Sequence, residues 1–170
     1  MTLAEACQFN DSSLTELECV LQSLSDSQYQ NHSSAVSSSI GTHVRHIIEF
    51  YQCFFKGLDF GVIDYDNRPR NIELEESIEL AVDYLKNVRL MLNSPTVDNH
   101  QGTVEIFAVL DTDNSIQTSS NVSRELLFLQ GHTTHHLAMI ALLMEQGGMK
   151  VPKNFGVAAS TRLHRAVQTA

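Results

Sequence analysis

The fold class predicted by the sequence is all-α: an antiparallel four-helix bundle with a small β-hairpin between helices three and four. Three observations carry it. Apolar residues recur at steps of three and four in four separate stretches, the mark of amphipathic helices. One stretch between the third and fourth of these switches to period two before a turn-like "DTDNS". At 170 residues, with 42% hydrophobic and 18% charged residues, the chain has room for one well-covered core. A single domain over residues 1–170 follows.

The first helix is read from Leu14, Leu17, Leu21 and Leu24, with Asp11 or Ser12 as its N-cap. A serine-rich connector, "HSSAVSSS", leads to the second, with Ile40, Val44, Ile47, Tyr51, Phe54 and Leu58 on one face and an end near Gly57. Ile63 to Asn71, "IDYDNRPRN", carries Pro69 among clustered polar residues and is expected to be a loop of specific shape. Asn71 is expected to cap the third helix, whose core positions are Leu74, Ile78, Ala81, Leu85, Val88 and Leu92. Acids crowd its first turn and Lys86 and Arg89 lie near its end, as the helix dipole prefers. The hairpin follows, with Val104, Ile106, Ala108 and Leu110 alternating and a partner strand around Ile116 and Thr118. The fourth helix begins after Ser120 or Asn121 and stops at Gly147-Gly148, with Pro152 beyond. Residues 151–170 form a tail whose "FGVAAST" is too apolar to stay free of the bundle or a partner.

Composition narrows the function classes. A net charge of −9 repels phosphate backbones, so no nucleic-acid partner is expected. No apolar run reaches the roughly 20 residues that span a bilayer, so no membrane partner is expected either. The opening "MTLAEACQFNDSS" lacks the features of a secretion signal, and a cytoplasmic location is expected. Cys7, Cys19 and Cys53 are scattered, which fits reduced thiols rather than a disulfide frame or a thiolate metal site. Lys150, Lys153, Arg162 and Arg165 gather after Gly148 and suit docking on an acidic surface of the same chain or of a second subunit.

Three of the eight histidines fall in "LQGHTTHHLAMIALL" on the fourth helix. His132 and His136 are four apart and stack on one side, at the edge of the stripe formed by Val122, Leu126, Leu129, Thr133, Leu137, Ile140 and Met144. His135 is turned away by about 100°. Two imidazoles near a core need partners for their ring nitrogens, since a buried unpaired polar group costs roughly 1 to 3 kcal/mol. One metal ion satisfies a nitrogen on each. A third ligand is available from "GTHVRHIIEF" on the second helix, where His43 and His46 are three apart; spacing does not choose between them. Against this stands ordinary packing, in which each histidine bonds a carbonyl or a carboxylate. His32, His100 and His164 fall in expected loops or the tail.

"IGTHVRHIIEFYQCFFKGL", "VIDYDNRPRNIE", "LQGHTTHHLAMIALL" and "VPKNFGVAAST" together resemble the DinB/YfiT-like family of metal-dependent enzymes over most of the chain. The resemblance implies a four-helix bundle, often a homodimer, that binds zinc, nickel or iron beside an open pocket. By position it implies His46, His132 and His136 as the ligands, with His43 behind them or lining the pocket. A subgroup similar in "GxHxRH" and "FGVAxST" commonly has histidine where Phe50 stands here.

Three neutral imidazoles leave a divalent ion its full charge and an open position, so a small-molecule substrate can reach it. Relatives that the chain resembles include thiol-dependent S-transferases, which makes activation of a low-molecular-weight thiol the first expectation. Hydrolysis by activated water is the competitor, and a binding bundle without turnover a third reading. Glu49, one turn beyond His46, is placed to orient an imidazole or act as a base, although an exposed glutamate without duty is the more frequent case; Arg45 is weighed the same way. His135 is grouped with His43 and Glu49 around the ligands. Tyr65, Arg68 and Arg70 border the pocket as candidate substrate contacts, a guanidinium being suited to a carboxylate. The competing reading pairs the arginines with Asp64, Asp66 and Glu73. Ser160 and Thr161 show no base that would make them nucleophiles.

Overall fold

The computed structural model describes residues 2–33, 37–94, 97 and 102–168. Helix α1 (Leu3–Leu21) starts at a reciprocal cap: the Thr2 hydroxyl accepts the Glu5 N–H and the Glu5 carboxylate accepts the Thr2 N–H. The expected start at Asp11 or Ser12 is thereby corrected. The early buried positions are Ala6, Cys7, Asn10 and Ser13, small or polar side chains with little hydrophobic signal, and Leu24 lies beyond the helix end. A short α2 (Asp26–Gln30), capped by Ser25, buries Tyr29, whose hydroxyl donates to the Leu74 carbonyl. In the serine-rich connector Ser33 and Ser38 form an isolated bridge, and residues 34–36 lie outside the described residues.

Helix α3 (Ile40–Phe60) is capped by Ser39 and ends at Gly61 in the left-handed region (φ 72°). Gly57 is therefore inside the helix rather than at its end. A Cβ there would strike the backbone and side chain of the Val62–Ile63 segment, which packs directly on it. That segment belongs to β1 (Val62–Asp64), a further correction: the expected loop begins with a strand. β1 pairs in parallel with β2 (Thr103–Val109), which pairs antiparallel with β3 (Ser115–Asn121), so the hairpin is two-thirds of a three-stranded sheet in the order β1-β2-β3. Ile63 is fully buried, and Ile106 faces Thr118 across the hairpin.

The single third helix is two pieces, α4 (Glu73–Glu76) and α5 (Ile78–Leu92). Ser77 breaks them by adopting extended geometry while its hydroxyl accepts the Leu80 N–H. Asn71 accepts the Glu73 N–H, although Ile72 is the residue that borders α4. Leu74, Ala81, Leu85, Val88 and Leu92 are all buried, so the stripe survives the break. Helix α6 (Val122–Gln146) starts directly where β3 ends, Asn121 accepting the Arg124 N–H, and stops at Gly147. A final α7 (Ala159–Gln168) contributes no buried residue.

The fold is mostly helical. α1 packs on α5 and α6, α3 packs on the same two, and the sheet joins α3 through β1 and α6 through β3. Leu14, Leu17, Ile47, Phe54, Leu85 and Ile140 meet in the shared core. Before α7, Phe155 is buried and Gly156 (φ 69°) lies so close to the Ala138 backbone that a Cβ would collide with it. Arg162 then forks onto the Glu16 carboxylate at 3.1 and 3.2 Å. Among the described residues, no helix is long and apolar enough to cross a membrane.

Candidate metal centre

Packing of α3 on α6 turns one face of each toward the other, and His46 meets the i,i+4 pair His132 and His136 there. One ligand nitrogen from each ring lies within 4.8 Å of the other two. Ring centroids are 5.0 Å apart for His46 and His132, 4.5 Å for His46 and His136, and 4.6 Å for His132 and His136. Bonds of about 2.1 Å in a tetrahedral site hold ligand nitrogens about 3.4 Å apart, so the rings would have to close by up to about 1.4 Å around an ion. His132 Nε2 is buried without a hydrogen-bond partner. Such an orphan is costly unless something absent from the protein's own atoms fills it, and the donor set, three imidazoles, fits a divalent transition metal.

The rings are held neutral. Burial, then the neighbouring histidines, lowers His136 furthest, to about 2. Burial followed by charges that include Arg68 lowers His46 and His132 to about 4. A neutral imidazole has the free lone pair a metal needs.

His43 stands outside the trio. Its Nδ1 is 2.9 Å from His136 Nδ1 and its Nε2 is 3.0 Å from Ser38 Oγ. Of the two histidines that spacing left open, His46 is the one whose ligand nitrogen converges with those of His132 and His136, while His43 bonds His136. His135 is exposed and touches His136 only through an edge-on ring contact at 5.1 Å.

Glu49 corrects the surface reading: it is 0% exposed. Its Oε1 accepts the Asn71 N–H at 2.8 Å, while Oε2 faces Arg45 Nε at 4.0 Å without a hydrogen bond. Arg45 itself bonds Glu75 at 2.9 Å, and the other Glu75 oxygen accepts the Thr42 hydroxyl. Glu49 therefore fastens the 62–71 segment to α3 rather than orienting an imidazole.

Tyr65 is buried, stacks on Phe50 at 5.2 Å and donates its hydroxyl to Glu125 at 2.9 Å. The second Glu125 oxygen accepts the Ser120 hydroxyl at 2.6 Å. Glu125, 3% exposed, was missed by sequence reasoning; its signal was an acid inside the stripe that runs from Val122 to Leu129. Burial and this carboxylate push the Tyr65 phenol far up, so it stays a donor. Arg68 donates to the Tyr65 carbonyl and sets its guanidinium 5.2 Å over the Phe50 ring.

Arg70 is exposed with left-handed backbone (φ 54°) and is not gathered with the others. The expected arginine–carboxylate pairs are replaced by backbone bonds: Asp64 accepts the Asp66 and Asn67 N–H groups, and Asp66 accepts that of Val109. His32 and His164 are exposed, and His100 lies outside the described residues.

Phe50 closes one side of the trio, stacked 3.9 Å from the His132 ring and tilted against that of His46 at 4.6 Å. Beyond it an open cavity of about 510 Å³ lies under the sheet, lined by Phe50, Tyr65, Ile106, Ala108, Glu125 and Phe128 among others. A second hollow of about 480 Å³ reaches His132 itself, past Arg124, Leu127, Phe128 and Gly131.

Three imidazoles contributed by two packed helices, one with an unpaired buried nitrogen, define a helical protein with a candidate three-histidine metal centre. The DinB family profile matches residues 1–160, and the chain belongs to that family. It is also similar to FK506-binding protein 5 of Rhizopus delemar, 31% identical over 113 residues, which are 61% of this chain and 27% of that protein. The chain thus spans about a quarter of the length of this relative. No solved structure matches it.

Proposed function

We propose that the chain is a metal-dependent enzyme of the DinB family, with His46, His132 and His136 holding a zinc, nickel or iron ion, where a low-molecular-weight thiol is activated for transfer to a small-molecule substrate. The observation that carries the metal reading is the convergence of three ligand nitrogens within 4.8 Å, one of them otherwise orphaned. Such an ion, bound by neutral ligands only, supplies the Lewis acidity that lowers the pKa of a thiol or of water. S-transfer is chosen over hydrolysis on family likeness, and the test below separates them.

The protein's own residues have three tasks in this reading. Burial keeps the imidazoles unprotonated. Phe50 and Phe128 exclude water from the side of the centre facing the sheet cavity and offer an apolar seat to the substrate. Arg68, tied down through one nitrogen to the Tyr65 carbonyl, has other N–H groups with which to grip an anionic group of the substrate, and Tyr65 is locked beneath it by Glu125. The mutual packing of α1 and α3 on both α5 and α6 supports an antiparallel four-helix bundle acting as one unit over the chain.

Elemental analysis of untagged protein comes first, with one equivalent of metal per chain expected. Turnover of electrophiles with low-molecular-weight thiols is then compared with turnover without thiol, using His136→Ala as the blank. Thiol-dependent rates lost in the blank support S-transfer; thiol-independent rates lost in the blank support hydrolysis; equal rates in parent and blank refute the enzyme.

A further inference from the structure

We infer that His43 is a positioning residue for the metal centre, holding His136 by its Nδ1 so that its Nε2 alone is offered to the ion, with Ser38 completing the relay. The inference rests on the metal reading above and concerns only this chain's own atoms.

Three polar side chains form a continuous line. Ser38 Oγ lies 3.0 Å from His43 Nε2, and His43 Nδ1 lies 2.9 Å from His136 Nδ1. Each neutral imidazole carries one N–H and one lone pair, so this line has two polarities. In one, Ser38 donates to His43, His43 Nδ1–H donates to His136, and the only proton on His136 sits on Nε2, where it blocks an ion. In the other, His136 Nδ1–H donates to His43 Nδ1 and His43 Nε2–H donates to Ser38, which leaves the His136 Nε2 lone pair free. Only the second accepts a metal. Because Nδ1 of His136 is engaged in both, coordination through Nδ1 would require the 2.9 Å bond to break.

Burial of Ser38 at the start of α3 gives the line a fixed end. The residue is 8% exposed, its carbonyl accepts the Ser33 N–H, and the adjoining Ser39 caps the helix that carries His43 and His46. His43 thus links the first turn of α3 to the ligand pair of α6. Partners of this kind, which bond the far nitrogen of a ligating histidine, fix its tautomer and ring orientation.

The test is zinc affinity by chelator competition in the full, untagged chain, for the parent and for His43→Leu, His43→Asn and Ser38→Ala, with circular dichroism to confirm folding. Imidazole ¹⁵N spectra of the zinc-loaded parent assign the proton on His136. Expected are a loss of about 10- to 100-fold for His43→Leu, a loss of no more than about threefold for His43→Asn, whose amide oxygen stands near the former Nδ1, and an intermediate loss for Ser38→Ala. The spectra show His136 protonated at Nδ1 and ligated at Nε2. Equal affinity in His43→Leu and the parent, equal losses in the Leu and Asn variants, or ligation through Nδ1 would each overturn the assignment of His43 while leaving the metal centre standing. Absence of zinc binding by the parent would remove the metal centre and this role together. Should His43→Leu fail to fold, the Asn variant and the parent spectra still decide.

Discussion

Two polar clusters bridge α3 and α6, the first of them also reaching α1, and they are finished differently. In the first, Tyr51 of α3 donates to Asn10 of α1 at 2.6 Å and lies 3.2 Å from the Thr133 hydroxyl of α6. Asn10 spends its amide on the carbonyls of Ala6 and Leu126, so the knot is closed within the protein. In the second, His132, next in sequence to Thr133, keeps a buried nitrogen with no partner. A closed knot aligns helices. An open one has room to take something else, and burial agrees with the contrast, since Tyr51, Asn10 and Thr133 are buried whereas the three histidines are half-buried.

The largest effect that tests this contrast is loss of metal on removing one ligand. His132→Ala is expected to weaken zinc binding by about 3 kcal/mol, more than 100-fold, if each of three ligands carries about a third of roughly 10 kcal/mol. Isothermal titration measures it; binding within tenfold of the parent would merge the two clusters into one structural network. Metal-free stability in the same variant is expected to change less, because the buried nitrogen has no hydrogen bond to lose and the ring gives up chiefly its stacking on Phe50.

Asn10→Ala is expected to show the opposite pattern. It removes the side-chain bonds to the Ala6 and Leu126 carbonyls and one of the two partners of the Tyr51 hydroxyl, costing about 1 to 2 kcal/mol in urea unfolding, with zinc affinity unchanged. A parallel fall in zinc affinity would mean that the closed knot sets the ligand geometry.

Acid should also distinguish the clusters in the metal-free protein. His46 and His132 have folded pKa values of about 4 against the 6.5 of an ordinary histidine, burial being the first cause. Between these values the unfolded chain binds protons that the folded chain refuses, so this contribution is complete above pH 6.5 and is lost as pH falls toward 4. Urea midpoints across that window are expected to drop in the parent and to drop less in His132→Gln; identical slopes would locate the acid sensitivity elsewhere. The smallest effect belongs to a contact outside both clusters. Arg162→Ala breaks a half-exposed bridge to Glu16 and should shift stability by less than about 1 kcal/mol, with zinc affinity unaltered.

Legibility in the sequence followed the strength of the hydrophobic signal. The stripes of α3 and α6 are carried by large aliphatic and aromatic residues, so these helices and the i,i+4 histidine pair could be read directly, and the α6 start was narrowed to Ser120 or Asn121, of which Asn121 is the cap. The start of α1 could not, because Ala6, Asn10 and Ser13 are buried without being strongly apolar; the Thr2–Glu5 capping box was the available signal. β1 is three residues long, and its partner, Glu105 to Phe107, is remote in sequence, so no local alternation announces it. Ser77 interrupts a helix without interrupting its stripe. The choice between His43 and His46 depended on which ring reaches α6 at the level of His132, which spacing within one helix does not contain. Glu49 and Glu125 look like surface acids until their partners from distant segments are seen.

One junction ties the sheet to the ligands. β1 follows α3 after the single residue Gly61, β3 runs into α6 with no residue between, and β2 bonds both strands. The sheet is therefore a yoke that sets how far one ligand-bearing rod can slide along the other. A chain whose hairpin is clipped out would free that travel, and a slip of one helical turn, about 5.4 Å, would carry His46 clear of the pair it has to meet.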